Sequence, residues 1–509
     1  MTRPNVLFLM TDQQRFDTIQ ALGNSRIRTP NLDRLVSRGV SFTNAYSTCP
    51  VCMPARLTLR TGREPALTGC HANGGATPAP GQPAGIEERC GAYLARTMSE
   101  LGYRSFGVGK FHPIGGDFDL GYEVHGWSEE LYGSEEGRSA DGYAQFIRDE
   151  FPAFDFLEMP HGERSEMYYV PQMAATPPEA TVEWWTAREA IREIKRADER
   201  PWFGMVSFVG PHPPCAPPQP FNRMYDPDAM PEQINSDRAL DEIDRFIPWH
   251  RHLIWGDTIV ESPLCQKIFR ARYYGEISYI DQCIGAILDA VEARADADNT
   301  LICFVSDHGD FLGDHHAVQK ESFLEQSAHI PFLLSWPAKL PRDVRHDELV
   351  CLTDCFAIAT AAAGACEERD GIDVLGMLAG MRSPRQSLIG TYGKPGTDAF
   401  KAMVRHERWK YLWFSNGGHE VLFDLAADPN ESCNLAEQHP QMLAQLRGEL
   451  IQHCRAPTLV PALAGDQLLA LPQQDRERRR HKQMARHLGV SDYPDDPSEL
   501  LGAWVPISA

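Results

Sequence analysis

Four polar clusters stand where apolar runs of the chain stop: Asp12 and Gln13 after NVLFLMT, Lys110 and His112 after YRSFGVG, Pro211 and His212 after WFGMVSFV, Asp307 and His308 after LICFVS. Asp12, Gln13, Asp307 and His308 offer carboxylate, amide and imidazole donors, an oxygen-rich set suited to a hard divalent cation such as Ca2+, Mg2+ or Mn2+. Any one Asp after a strand is more readily a turn residue, and a lone His is as readily a structural hydrogen-bonder. Two Asp-led pairs arriving with two further strand ends weaken that plainer account. Lys110 and His112, at i and i+2, share a face if their segment is extended. Lys320 taken alone reads as surface.

The stretch CPVCMPARLTLRTGR, residues 49–63, has two parses. As a C-x-x-C pair, Cys49 and Cys52 have the spacing of a redox dithiol, but a dithiol needs no Arg four residues on. A zinc site needs two more ligands, and Cys70 and His71 lack the spacing. The other parse begins at Cys52. Pro54 suits an early helical turn, Thr58 and Leu59 continue it and Gly62 ends it, which puts Cys52 at a helix N-terminus, a place that favours a bound anion. Arg56 then lies one turn on, on the same face, within reach of a group carried by residue 52.

Positioning these residues requires a sheet whose strands all end at one edge. The runs at 5–11, 103–109, 202–209, 301–306 and 330–336 are near-continuously apolar, as strands of a parallel sheet covered on both faces should be. Helical patterns alternate with them. Residues 29–38 carry Thr29 as cap, Pro30 in the first turn and Gly39 after the end. Residues 266–293 place Ile268, Ile277, Ile280, Ile284, Ile287 and Val291 in a core-facing stripe. The expected fold is α/β: a large, mostly parallel sheet sandwiched by helices over residues 1–381. Ligands of such sheets bind outside the carboxyl ends of the strands, the edge at which the four clusters stand. From residue 382 to 509 the pieces SLIGTYG, AMVRHERWKYLWF and EVLFDLAADP, then a helix at 441–454, predict a smaller C-terminal α+β domain on a short antiparallel sheet. Its tail, DRERRRHKQMARHL at 475–488, reads as a solvated helix face.

With 42% hydrophobic and 23% charged residues among 509, the chain is an ordinary globular protein, neither fibrous nor disordered. A net charge of -21 opposes nonspecific binding to nucleic acid or anionic membrane and disfavours long polyanionic substrates. No apolar run is long enough to span a bilayer, and MTRPNVLFLMTDQQ lacks a signal-peptide pattern. A cytoplasmic location follows as the expectation, with the thirteen cysteines reduced. The expected partner is a small anionic ester, without nucleic acid or membrane; a homo-oligomer is left open.

Cys52-Met53-Pro54-Ala55-Arg56, continuing to Thr61-Gly62-Arg63, resembles the C-x-P-x-R signature of type I sulfatases, in the alkaline phosphatase superfamily. The likeness extends over NVLFLMTDQQR, TPNLDRL, GVSFTNAY, GVGKFHP, VGPHPP, YYGEISYIDQCIG and SDHGDFLGDHH. In that family the cysteine becomes Cα-formylglycine. The resemblance implies that Asp12, Gln13, Asp307 and His308, with residue 52, bind one divalent ion, Ca2+ foremost. It implies a formylglycine-generating enzyme acting on Cys52, a hydrated aldehyde at residue 52 as nucleophile, and Arg56 holding that hydrated form. Lys110, His112, His212 and Lys320 would contact the transferred group or the leaving oxygen, and Asn73 the same oxyanion. One hydroxyl of the hydrate attacks the sulfate ester and the other later expels sulfate. Lys110, Lys320 and Arg56 stabilise the charge, His212 protonates the departing alcohol and His112 serves as base.

Gln13, where many sulfatases carry a second Asp, and Ala55 within the motif are shared with the related phosphonate monoester hydrolases. Lys110 and His112 stand where those enzymes resemble a Tyr/Thr arrangement. The expected activity is therefore sulfate monoester hydrolysis. The alternatives are phosphonate monoester or phosphodiester hydrolysis, and a silent anion-binding homologue in which Cys52 stays a thiol. Segments 126–178 and 211–263, rich in Pro and aromatic residues, are expected to wall the pocket; the net charge of -21 leaves small aryl, alkyl or sugar sulfates as the expected substrates.

Overall fold

In the computed structural model, which describes residues 3–115, 119–129, 132, 134–155, 171–234 and 262–474, the apolar runs become neighbours in one eight-stranded sheet. Its strands are β1 (Asn5–Thr11), β2 (Val40–Tyr46), β3 (Arg104–Gly109), β4 (Val124–Trp127), β5 (Trp202–Ser207), β6 (Thr300–Ser306), β7 (Phe332–Ser335) and β8 (Val344–Cys351). Their order is β4-β3-β5-β1-β6-β7-β2-β8. All run parallel except β7, which is antiparallel to both β6 and β2. The reason is the connection. The chain leaves β6 at the carboxyl edge, stays there through residues 307–331 and re-enters from that edge, whereas a parallel return needs a crossover.

β1 lies at the centre and is buried along its whole length. Val6, Phe8 and Met10 point to one face, packing with helices α2 (Cys52–Thr61) and α5 (Asp354–Ala362). Leu7 and Leu9 point to the other, against α1 (Pro30–Arg38), α3 (Val182–Lys195) and α4 (Pro263–Glu292). This is the period-two alternation of a strand covered on both sides.

Two helix details differ from the sequence expectation. In α4, Ile277, Ile280, Ile284, Ile287 and Val291 are buried, but Ile268 is only half-buried and Phe269 takes the packed position. In α1, Thr29 occupies the cap position without capping: its hydroxyl accepts the Gln20 N–H at 2.9 Å. The Asp281 carboxylate of α4 accepts the N–H groups of Asn31 and Leu32 instead, so the start of α1 is satisfied by its packing partner.

Strands β9 (Ser387–Tyr392), β10 (Lys401–His406), β11 (Trp409–Phe414) and β12 (His419–Asp424) form a separate antiparallel sheet, covered by α6 (Pro440–His453) through Leu443, Leu446 and Leu450. The run AMVRHERWKYLWF is two strands, β10 and β11, turning at Glu407 with φ +49°. Segment 475–488 lies outside the described residues, as do 156–170 and 235–261 of the expected pocket walls. Among the described residues no helix is long and apolar enough to cross a membrane.

Candidate active site

Strand order decides which polar groups can meet. β1 lies between β5 and β6, so Asp12 and Asp307, each the first residue after its strand, emerge side by side; Asp307 N–H donates to Thr11 O at 3.3 Å. Cys52 is the first residue of α2, following an extended Val51, and that helix ends at Gly62 in the left-handed region, φ +64°. Ligand atoms of Asp12, Cys52, Asp307 and His308 all lie within 4.8 Å of one another, and all four residues are buried. Cys52 Sγ is 3.2 Å from His308 Nε2 and 3.8 Å from Asp12 Oδ1. His308 Nδ1 is 3.1 Å from Gly309 O, which places the proton on Nδ1 and turns the Nε2 lone pair into the cluster.

Cations take the remaining carboxylate oxygens. Arg56 reaches Asp12 Oδ2 at 2.8 Å and Asp307 Oδ2 at 2.9 Å, and also donates to Lys110 O at 2.6 Å and Ser207 Oγ at 2.7 Å. Lys110 Nζ is 2.7 Å from the same Asp12 Oδ2. The Oδ1 atoms face the other way in function: that of Asp307 is 3.5 Å from His308 Nε2 and accepts the Gln13 N–H at 3.0 Å. Arg56 therefore bonds the two carboxylates, not residue 52.

Burial pushes the Asp12 carboxyl up, but Lys110, His212, Arg56 and His308 together outweigh it and hold it well below its ordinary value. Burial also lowers the His308 imidazole, keeping it neutral and able to ligate. The Cys52 thiol is pushed up to about 12, by burial first and by Asp12 second. Cys49 and Cys52 are both free, and Cys49 Sγ is directed to His71 O. Two carboxylates and a neutral imidazole aimed at one buried point, with counter-cations behind them, fit a hard divalent cation.

The other expected residues surround this cluster. Lys320 is buried, not on the surface, and its Nζ donates to Gln13 Oε1 at 2.5 Å. Gln13 Nε2 donates to Asp310 Oδ2, so the amide oxygen lies beside the cluster in the grip of Lys320. His212 is buried on the 210–216 loop with Nδ1 2.8 Å from Pro213 O. His112 has φ +48°, its N–H donates to Glu129, and its Nε2 is 3.8 Å from Glu129 Oε2. The segment is thus not extended at His112, and the alternation rule does not carry Lys110 and His112 to one face. Asn73 is exposed at the rim, its Oδ1 accepting the Met53 N–H at 3.0 Å.

Among the described residues nine non-glycines have positive φ, and Gln13, His112, Leu312, His315, Gln319 and Glu321 are six of them. Strained backbone gathers in the loops that build this site, as it does at functional sites generally. Sequence reasoning missed Asp310, Ser207 and Glu129. The SDHGD spacing could have flagged Asp310; nothing local marks the other two.

A family model described as Sulfatase matches residues 4–365, and one described as N-sulphoglucosamine sulphohydrolase, C-terminal, matches residues 313–456. The chain is 28% identical over 478 residues to an arylsulfatase of Clostridium perfringens, covering 88% of this chain and 94% of that protein. It is 27% identical over 460 residues to a choline-sulfatase of Rhizobium meliloti, covering 86% and 83%. The crystal structure of a phosphonate monoester hydrolase of Agrobacterium radiobacter shares its fold, with a TM-score of 0.73 at 24% identity over 90% of this chain and 97% of that one. Because the first match spans well over half of the chain and takes in Asp12, Cys52, Asp307 and His308 alike, the chain belongs to the sulfatase family, whose members are hydrolases of sulfuric ester bonds.

Proposed function

We propose that this protein hydrolyses sulfate monoesters of small aryl, alkyl or sugar alcohols, with residue 52 acting as Cα-formylglycine. The observation that supports this most is the setting of Cys52: buried at the start of α2, 3.2 Å from His308 Nε2, with its thiol pushed up to about 12. The hydrate of an aldehyde at this position would offer one hydroxyl to attack sulfur and a second to expel sulfate, a pair that a thiol does not have. A formylglycine-generating enzyme is the partner this requires. The family implies a divalent ion; Asp12, Asp307 and His308, with Gln13 and residue 52 beside them, would hold it, Ca2+ by preference, and it would supply Lewis acidity toward a sulfuryl oxygen.

The remaining steps fall to the chain's own groups. Lys110 and Arg56 keep Asp12 ionised, and Arg56 orients both Asp12 and Asp307, so Arg56 acts on residue 52 through the carboxylates. Lys110 and Lys320 supply positive charge for the oxygens of the transferred group, and Asn73 bounds it at the rim. His212 donates the proton that the departing alcohol needs, and His112, held by Glu129, receives the proton lost when sulfate is expelled. We assign this chemistry to residues 1–381, with residues 382–509 as the smaller unit.

Phosphonate monoester or phosphodiester hydrolysis is the second reading, supported by Gln13 in place of another carboxylate. Sulfate monoesters, phosphonate monoesters and phosphodiesters each carry one negative charge, so cations alone do not separate them. The test is the mass of the peptide carrying residue 52, together with kcat/KM for matched 4-nitrophenyl sulfate, phenylphosphonate and phosphodiester. A lighter-than-cysteine residue 52 and a preference for sulfate support the proposal. A preference for phosphonate replaces it with the second reading, and an unconverted cysteine without turnover points to a silent homologue.

A further inference from the structure

Two helices bring acidic side chains against the loop that carries His212. Glu183 is the second residue of α3 and Glu276 lies mid-way along α4; they are 4% and 2% exposed. The Gly210 N–H is hydrogen-bonded to the Glu183 carboxyl, and the Ala216 N–H to the Glu276 carboxyl. Oxygens of Glu276 and Glu183 lie 2.8 and 3.3 Å from the point that a Cβ on Gly210 would occupy. The two carboxyls therefore meet over the start of the loop, and one of them also holds its end. A Cβ at Gly210 would push the Glu276 oxygen aside, as it would Ile280 Cδ1 at 2.9 Å. The Gly210 carbonyl, in turn, accepts the Asp12 N–H at 3.2 Å.

We propose that Glu183 and Glu276 are positioning residues for His212: by gripping the N–H groups of Gly210 and Ala216 they fix the 210–216 loop that presents the imidazole to the leaving group. This rests on the reading of His212 as proton donor. The ionisable groups around the pair are Tyr143, Tyr279 and Cys283 beside Glu183, and Cys215 beside Glu276. Burial keeps each of these protonated, and none brings a positive charge. Two carboxyls in such a setting do not both ionise, so one of them keeps its proton. Burial holds Glu183 up to about 7, and burial together with the Glu183 charge holds Glu276 well above its ordinary value. A protonated carboxyl and its partner make one neutral-to-monoanionic clamp whose shape glutamine reproduces.

The experiment uses the metal-loaded enzyme with residue 52 converted, assayed on an alkyl ester, whose leaving oxygen needs a proton, and on the matched 4-nitrophenyl ester, whose leaving oxygen does not. Glu276→Leu is expected to lower kcat on the alkyl ester by about tenfold or more, with KM within about twofold and the nitrophenyl ester little affected. Glu276→Gln and Glu183→Gln are expected to retain most of the activity. Equal losses in the Leu and Gln variants, a loss confined to KM, or a Leu variant as active as the parent overturns the proposal. His212→Asn is the reference: if its loss does not depend on the leaving group, the proton-donor reading fails on its own account. The positioning claim is then judged by the imidazole NMR shift of His212 in protein labelled at histidine. That shift is expected to move in Glu276→Leu and stay in Glu276→Gln; an unmoved shift in the Leu variant overturns the claim.

Discussion

Arg56 meets Asp12 at 2.8 Å through Oδ2, while Oδ1 of the same carboxylate stands 3.8 Å from Cys52 Sγ. One side chain thus presents one oxygen to a cation and the other to the cluster around Cys52, and Asp307 repeats the pattern with Arg56 at 2.9 Å. Without these cations burial would push the Asp12 carboxyl up and cost it its use as a ligand.

Cys52→Ala is expected to lower turnover by roughly four orders of magnitude or more, because it removes the proposed nucleophile while every other group remains. Alanine suits the first turn of α2 and leaves only a small void, so the thermal midpoint should stay near that of the parent. Steady-state rates and thermal unfolding check both halves. Near-parental rates would remove the basis of the proposed function.

Asp307→Asn is expected to lose bound metal and activity together, since it neutralises one of two carboxylates in the buried set. It also deprives Arg56 of a partner. Metal content by elemental analysis, measured beside the rate, decides it. A variant that keeps its metal but is slow would make Asp307 a support for the other groups.

Asp314 tests the acid side of stability. It is buried between Arg15 and Arg270, each at 2.8 Å. Burial pushes its carboxyl up, yet Arg270 and Arg15 outweigh this and hold it below its ordinary value of 3.8. Its stabilisation is therefore complete above that value and lost as pH falls through the lower native one. Asp314→Asn should cost roughly 3 kcal/mol at neutral pH, with the gap from the parent narrowing on acidification. Urea midpoints at stepped pH measure this; a gap that widens in acid contradicts it.

Lys410 joins the second sheet to the loop after Lys320. Its buried Nζ lies 2.7 Å from Glu325 Oε1 and 2.8 Å from Glu431 Oε1, and Glu431 accepts the Glu325 N–H at 2.7 Å. Lys410→Met leaves two carboxyls facing each other in the interior and should cost about 3 to 5 kcal/mol. Adding Glu431→Gln should recover part of it. Thermal midpoints of the single and double variants test the coupling, and an unshifted single variant would show that the trio carries little.

The strand ends were legible because β1, β3, β5 and β6 stop abruptly in residues that no core would accept: Asp12, Lys110, His212 a few residues on, and Asp307. What they would touch was not. β8, VRHDELVC, is half-exposed along its first residues and gives no apolar run to read, and the reversal of β7 depends on where residues 307–331 travel. Glu276, amid YYGEISYIDQC, has the look of a solvent-facing helix position until the 210–216 loop is placed over it. Arg56 was placed by helical spacing, but its carboxylate partners lie 44 and 251 residues away in the chain, beyond any local pattern.

Cys52 is 1% exposed, and the groups that enclose it include Asp307 and His308, made some 250 residues later than itself. During synthesis from the N-terminus the thiol is reachable only until β6 docks beside β1 and brings those two residues over it. The proposed conversion of residue 52 is then a race against the ribosome: a maturing enzyme has from the emergence of CMPAR to the arrival of SDHGD to act. Under the proposed conversion, slower elongation should raise the converted share, read as the mass of the peptide carrying residue 52.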